Sequence, residues 1–325
     1  MNSAYLSKLI RAFDPPIYSA AVVPVIVGTA AAYYFTGIFE PLRFVLTLLG
    51  MFLAQLGINL HNDYYDSKTG VDRHKIYSFV SIFSPKAVLF LAWICFLVAF
   101  GIGLYLDHLS KGHTLLILAG LGGVLGYFYS APPIQFSYLG VGEIVTFFCF
   151  GPLAVSGSYY VQTQSLSPYI LWEALPVGLI TSAILFVHHF AYYQNDQKFQ
   201  KKNLVARMGA AKSARFLPLF LHLPYLILSC AVVIGQLPVT SALVLLSLPL
   251  AVRLMRQVKL EVSRGTITSP LKSLVLSWHF LFGLTLGYSF SWQFYALFIL
   301  FGILAFVELC QLIKRRSLIP PLSRK

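Results

Sequence analysis

Long apolar runs fill this chain, with short polar stretches between them. Bounded by proline, glycine and charge, the runs predict helices at 16–37, 41–62, 85–107, 113–130, 140–162, 168–194, 214–235, 238–257, 271–290 and 293–313. A helix of about 20 apolar residues is long enough to cross the hydrocarbon core of a bilayer. The pattern therefore predicts an all-α, polytopic transmembrane helix bundle.

Composition supports lipid as the solvent. The 325 residues are 58% hydrophobic and 11% charged, with a mean hydropathy of +0.75. A soluble domain carries about 25% charged residues. A water-facing surface cannot be built from this chain, so lipid must cover most of its outside. The four cysteines, Cys95, Cys149, Cys230 and Cys310, lie in apolar runs without a Cys-x-x-Cys pair. They predict packing roles, with neither a zinc site nor a disulfide framework. The first apolar stretch is long and has no small-residue cleavage site, so no removable signal segment is expected.

The net charge of +13 bears on topology before it bears on partners. With the N-terminus in the cytoplasm and each span crossing once, 22 of the 24 Lys and Arg residues fall on the inner side. Only Arg43 and Lys111 fall outside. Retention of basic residues in cytoplasmic loops explains this asymmetry, and no nucleic-acid partner is implied. The tenth span brings Lys314, Arg315 and Arg316 inside as well.

The eleven acidic residues are more telling. Asp63, Asp66, Asp72 and Asp196 sit at the inner ends of the second and sixth predicted helices, or just beyond. Asp72 by itself reads as an ordinary interfacial charge. Asp63 and Asp66 belong to a polar motif with Asn59, at spacing i, i+4, i+7, which on a helix puts three oxygen-bearing side chains on one face. Carboxylate and amide oxygens suit a hard cation such as Mg²⁺, which ordinarily bridges a few carboxylates to substrate phosphates. Lys68, Arg73 and Lys75 follow closely and are candidates to neutralise those phosphates.

A second polar stretch closes the sixth span: His188, His189, Tyr192, Gln194, Asn195 and Asp196, then Lys198, Lys201, Lys202 and Arg207. The dipeptides Asn62-Asp63 and Asn195-Asp196 are 133 residues apart, each after the second helix of a four-helix set, which points to an internal duplication. Two acidic loops facing each other across the bundle would hold a diphosphate between metal ions. The hydrocarbon part of that substrate belongs in a lipid-accessible tunnel. Tyr127, Tyr129, Phe147, Phe148, Phe150, Tyr159 and Tyr160 are the aromatic set from which tunnel-lining rings are expected, since π faces stabilise an allylic cation. His188 and His189 point about 100° apart on a helix, so they do not form a metal pair.

These motifs resemble the UbiA superfamily of intramembrane prenyltransferases. Asn59, Asp63 and Asp66 match its Asn-x-x-x-Asp-x-x-Asp motif. The longer string Asn62-Asp63-Tyr64-Tyr65-Asp66-Ser67-Lys68-Thr69-Gly70-Val71-Asp72 is similar to the branch acting on 1,4-dihydroxy-2-naphthoate, especially its cyanobacterial and plastid phylloquinone-type members. Further matches are Pro16-Ile17-Tyr18-Ser19, Gly126-Tyr127-Phe128-Tyr129-Ser130-Ala131-Pro132-Pro133, Gly140-Val141-Gly142-Glu143, Phe150-Gly151-Pro152, His189-Phe190 and Val205-Ala206-Arg207-Met208-Gly209. Two positions depart from the family pattern. Many second motifs read Asp-x-x-x-Asp, but here Tyr192 precedes Asp196, and Gln200 replaces a glycine. Gln194 or Asn195 would then supply a neutral oxygen.

The resemblance covers about residues 8–290. It implies a prenyltransferase domain of nine core helices at 1–290 and an additional helix with a basic tail at 291–325. It implies a prenyl or phytyl diphosphate donor, 1,4-dihydroxy-2-naphthoate as acceptor, loss of CO₂, and Mg²⁺ held by Asn59, Asp63, Asp66 and Asp196. Asp63, Asp66 and Asp196 would be catalytic. Lys68, Arg73, Lys201, Lys202 and Arg207 would bind diphosphate, and Tyr127, Tyr129 and His189 would line the substrate site. The implied setting is a bacterial inner membrane, or a thylakoid or plastid membrane, with the active-site loops cytoplasmic, in menaquinone or phylloquinone biosynthesis. Competing readings keep the chemistry but change the acceptor to homogentisate, 4-hydroxybenzoate or 1,4-dihydroxy-6-naphthoate. A transporter would place its acids near the bilayer midplane on broken helices, rather than at helix ends beside basic residues. A CDP-alcohol phosphotransferase would need a longer Asp-rich run than the chain has.

Overall fold

Helix is the only regular structure among the described residues. The computed structural model describes residues 3–70, 78–110, 112–199, 201–265 and 270–290. In chain order the helices are α1 (Ser3–Phe13), α2 (Ser19–Thr36), α3 (Pro41–Thr69), α4 (Pro85–His108), α5 (Thr114–Ser130), α6 (Phe136–Leu139) and α7 (Gly142–Phe148). They continue with α8 (Ala154–Thr163), α9 (Leu171–Lys198), α10 (Leu204–Met208), α11 (Ala210–Val233), α12 (Leu248–Arg264) and α13 (Pro270–Phe290). Among the described residues, eight segments are long and apolar enough to cross a membrane, from Tyr5–Thr36 to Leu271–Phe290, and α5 is a shorter apolar helix. Every predicted span from 16–37 to 271–290 coincides in position with one of these nine. The predicted span 293–313 and the tail after it lie outside the described residues, as do Asp72 and Arg73.

Boundaries differ where polarity and helicity part company. The apolar pattern stops at residue 62, yet α3 runs to Thr69 and ends on Gly70, whose φ of 82° is the left-handed cap that a glycine adopts without a Cβ penalty. The first polar motif, from Asn59 to Asp66, is therefore part of the last three turns of a helix and not a loop. The same holds for α9, which carries the second motif as far as Lys198. Helix backbone bonds are satisfied within the helix, so it continues past the point where its side chains turn polar. The predicted span 140–162 is broken: α7 and α8 are joined by a π-helical turn, Cys149–Leu153, containing Pro152. Proline has no N–H to give the preceding turn, and the wider π turn accommodates it.

Helix α9 runs through the middle of the bundle, against α2, α7, α11 and α13. Helix α2 lies between α8 and α13, and α3 lies along α4. Small residues set these approaches, as expected where lipid gives helices no hydrophobic reason to associate. A Cβ at Gly28 would stand 2.4 Å from the carbonyl oxygen of Val155, so α2 and α8 meet backbone to backbone there.

The two ends of the bundle differ. At one end Lys8 donates to the carbonyl of Ser81 (2.8 Å), Lys272 pairs with Asp14, and Lys201 pairs with Asp66 at 2.8 Å. At the other end Arg43 donates to the carbonyls of Val161 (3.1 Å) and Leu109 (3.3 Å), the ends of α8 and α4. A guanidinium there satisfies helix C-terminal carbonyls that have no partner in their own helix.

Candidate active site

The last turns of α3 and α9 open onto one cavity of about 1190 Å³. Asn59, Asn62, Asp63 and Asp66 line it from α3, and Tyr192, Asn195 and Asp196 line it from α9. The two acidic stretches thus face each other, as the sequence predicts. Beyond this polar mouth the cavity turns apolar and reaches Leu106, Leu115 and Val161 near the opposite end of the bundle. Aromatic rings, among them Phe96, Phe100, Tyr129 and Phe150, form part of its wall.

The carboxylates are buried: Asp63 is 7% exposed, Asp66 2% and Asp196 4%. Each is held by hydrogen bonds, as buried charge requires. Asp66 Oδ1 accepts from the Tyr138 hydroxyl at 2.7 Å. Its Oδ2 accepts from Asn62 Nδ2 (3.1 Å) and Lys201 Nζ (2.8 Å). Asn62 is oriented in turn by the Ser130 hydroxyl, which donates to its Oδ1 at 2.7 Å. Asp63 Oδ2 accepts from the backbone N–H of Phe79 (2.9 Å), and Asp196 Oδ2 from Asn203 Nδ2 (2.6 Å). Among the described residues no three His, Cys, Asp or Glu side chains converge on a point that would hold a metal by themselves.

Of the described basic residues expected at a diphosphate (Lys68, Lys201, Lys202 and Arg207), Lys201 alone lines the cavity. Lys68 is exposed and lies 4.6 Å over the Tyr64 ring. Lys202 is exposed, and its carbonyl accepts from Arg207 Nε at 2.8 Å. The Arg207 side chain lies against Gly140, so it braces the loop between α6 and α7. The cause is rotation about the helix and loop axes, which spacing does not fix. Of the three ring-bearing residues expected to line the site, Tyr129 and His189 do so. Tyr127 packs instead against His61 (centroids 5.2 Å) and Trp93 (6.1 Å). From the wider aromatic set Phe150 lines the cavity, whereas Phe147 packs on Gly178 and Tyr159 and Tyr160 lie in apolar core clusters.

Sequence reasoning missed several residues. Arg11 and Lys272 line the cavity but come from opposite ends of the sequence and read as topology charges. Tyr138 carries no motif. Glu143 had a usable signal: an acid inside an apolar span is costly and ordinarily functional. It is 3% exposed and meets His189 Nδ1 at 2.9 Å.

A multi-pass bundle with an acidic, lysine-bearing mouth on a deep apolar cavity is the architecture of an enzyme that works on an amphiphile inside the membrane. The UbiA prenyltransferase family model matches residues 21–269, and the chain belongs to that family: it is an integral membrane prenyltransferase. It is 36% identical over 284 residues to 2-carboxy-1,4-naphthoquinone phytyltransferase of Synechocystis sp., covering 87% of this chain and 92% of that one. The chloroplastic protein of the same description in Arabidopsis thaliana is 37% identical over 64% of this chain and 57% of its own length. The human UbiA prenyltransferase domain-containing protein 1 is 29% identical over 86% of this chain and 84% of its own. The fold matches a UbiA homolog from Archaeoglobus fulgidus bound to GPP and Mg²⁺, with TM-score 0.63, 16% identity and coverage of 87% and 98%. It also matches the apo UbiA homolog from Aeropyrum pernix K1, with TM-score 0.65, 12% identity and coverage of 85% and 96%.

Proposed function

We propose that this enzyme transfers a prenyl or phytyl group from its diphosphate to 1,4-dihydroxy-2-naphthoate, with loss of CO₂, in menaquinone or phylloquinone biosynthesis. The observation that carries the reading is the single cavity: acidic and basic at the α3–α9 mouth, then apolar and partly aromatic through the bundle. A diphosphate fits the first part and an isoprenoid chain the second. The acceptor rests on the similarity to the two phytyltransferases. The dihydroxy acid is the two-electron-reduced form of 2-carboxy-1,4-naphthoquinone, and its electron-rich ring is the nucleophile.

Asn59, Asp63, Asp66 and Asp196 are the residues that would hold Mg²⁺. Their oxygens are hard ligands, and they are too dispersed to close a cage, which suits an ion shared with phosphate oxygens. When bound, the ion supplies positive charge that stabilises the departing diphosphate. Lys201, 2.8 Å from Asp66, is placed to contact that leaving group, and Arg11 and Lys272 line the same mouth. Tyr129 and Phe150 line the cavity and are the rings available to stabilise the allylic cation. No covalent enzyme intermediate is needed, so no activated nucleophile is required. Residues 1–290 form the catalytic unit, and 291–325 lie C-terminal to it. The mouth faces the cytoplasm or the plastid stroma.

The test is mass spectrometry of the product made by purified enzyme, Mg²⁺ and a mixture of prenyl diphosphates with each candidate acceptor in turn. The expected product is the decarboxylated prenyl-naphthoquinol. Turnover of homogentisate or 4-hydroxybenzoate without the naphthoate would overturn the acceptor.

A further inference from the structure

A buried histidine of the cavity wall meets a buried carboxylate from the neighbouring helix. His189 lines the cavity from α9 and is 4% exposed. Its Nδ1 lies 2.9 Å from Glu143 Oε1 on α7. Glu143 is anchored by its own backbone, because the Ser182 hydroxyl donates to its carbonyl at 2.7 Å. Its second carboxylate oxygen has no hydrogen-bond partner among the described residues.

Stability does not account for this pair. A buried ion pair is commonly no better than well-packed apolar residues of the same volume, and an unsatisfied carboxylate oxygen adds further cost. Membrane depth raises that cost. The arrangement does accomplish one chemical task. A carboxylate accepting at Nδ1 fixes the proton there and leaves the Nε2 lone pair as the basic site. The carboxylate also stabilises the imidazolium that forms when Nε2 takes a proton.

Position supports the same task. His189 precedes Asp196 by seven residues, about 10.5 Å along the helix axis. With the diphosphate at Asp66 and Asp196, the allylic carbon is one bond further in, and an acceptor ring attacking it lies beside the next turns of α9. Val145 and Thr146, within a turn of Glu143, line the same wall. Asp63, Asp66 and Asp196 are committed to the diphosphate end. His188 has its ring against Tyr192, 4.6 Å between centroids.

We propose that His189, oriented by Glu143, takes the proton from the acceptor's ring hydroxyl and returns it to the same oxygen as CO₂ departs. This rests on the naphthoate reading above. His189 Nε2 accepts the hydroxyl proton. The resulting naphtholate carbon that bears the carboxylate bonds to the allylic carbon, whose bond to diphosphate oxygen breaks. The product of that step is a β-keto acid. Its carbon–carboxylate bond breaks, CO₂ leaves, and the electron pair flows to the ring oxygen, which recovers the proton from the imidazolium. No oxidant or net proton is required. His189 is the catalytic residue and Glu143 a positioning residue.

The test uses the full chain with His189→Gln and Glu143→Gln, and a series of ring-halogenated naphthoates of increasing hydroxyl acidity. General-base loss costs about 10²-fold or more in kcat. His189→Gln should show that loss on the parent acceptor with donor KM within about threefold, and the loss should shrink as the acceptor becomes more acidic. Glu143→Gln should lose less and show the same trend. A merely structural role gives a loss that is uniform across the series. A uniform loss, or His189→Gln activity near wild type, overturns the proposal. If His189→Gln fails to bind a non-hydrolysable donor diphosphate, Glu143→Gln decides by the same trend. If wild type does not prenylate the naphthoate, the acceptor reading fails by itself. The series is then run on the phenol that is turned over, where a trend supports a His189 base and a flat loss overturns it.

Discussion

Asp66 is engaged from several sides at the mouth, contacted from α3, from Tyr138 and from Lys201. Those partners all lie at the polar end of the bundle, where water can replace the carboxylate. Asp66→Ala should therefore abolish prenyl transfer while the protein stays monodisperse in detergent, read by product formation and size-exclusion profile. Lys201 is the lysine the structure brings to this point, and a charge-assisted contact contributes about 1.5–3 kcal/mol. Lys201→Met should raise the donor KM about tenfold or more, whereas Lys68→Met, whose ammonium sits over Tyr64 away from the cavity, should stay close to wild type. Steady-state kinetics on both variants make the comparison. The pattern Asn59, Asp63, Asp66 was legible in the sequence because helix geometry is local and puts i, i+4 and i+7 on one face. The choice of Lys201 over Lys68 and Lys202 was not, because side-chain direction at a helix end depends on how that end packs.

At the scale of elements, α8 shows what small residues do on a cavity wall. Gly157 is buried, yet a Cβ built there would meet nothing within 4 Å, so a side chain would enter the cavity. Gly157→Leu should lower turnover of long-chain donors about tenfold or more relative to geranyl diphosphate, since a filled channel must be vacated or the chain excluded. Competition between a long and a short donor, read by mass spectrometry, gives the ratio directly. The same helix follows the π turn at Pro152, which the apolar pattern alone reads as part of one continuous span. Proline signalled an irregularity, but whether it kinks, breaks or widens a helix depends on the neighbours that accept the freed carbonyls.

For the whole molecule, charge asymmetry and tertiary structure agree. The ends rich in Lys and Arg gather at the mouth of the cavity, tied by Lys8 to Ser81, Asp14 to Lys272 and Asp66 to Lys201. In a chain with its four native cysteines replaced, Arg264→Cys should keep full activity and react with an impermeant thiol reagent from the cytoplasmic side only. Leu166→Cys, exposed between α8 and α9, should react only from the other side. Labelling both on the same side would overturn the topology. The sequence by itself determined the solvent, the positions of the spans between residues 16 and 290, and the acidic motifs. Each of these follows from residue type at short range: apolar length against bilayer thickness, and helical periodicity. Only the tertiary structure decided which polar groups meet. Tyr138 reaches Asp66 across 72 residues, Lys201 reaches it across 135, and His189 meets Glu143 across 46. Such pairings are set by how helices rotate and cross, and in lipid that is governed by close packing of small residues such as Gly28, which a hydropathy pattern does not encode.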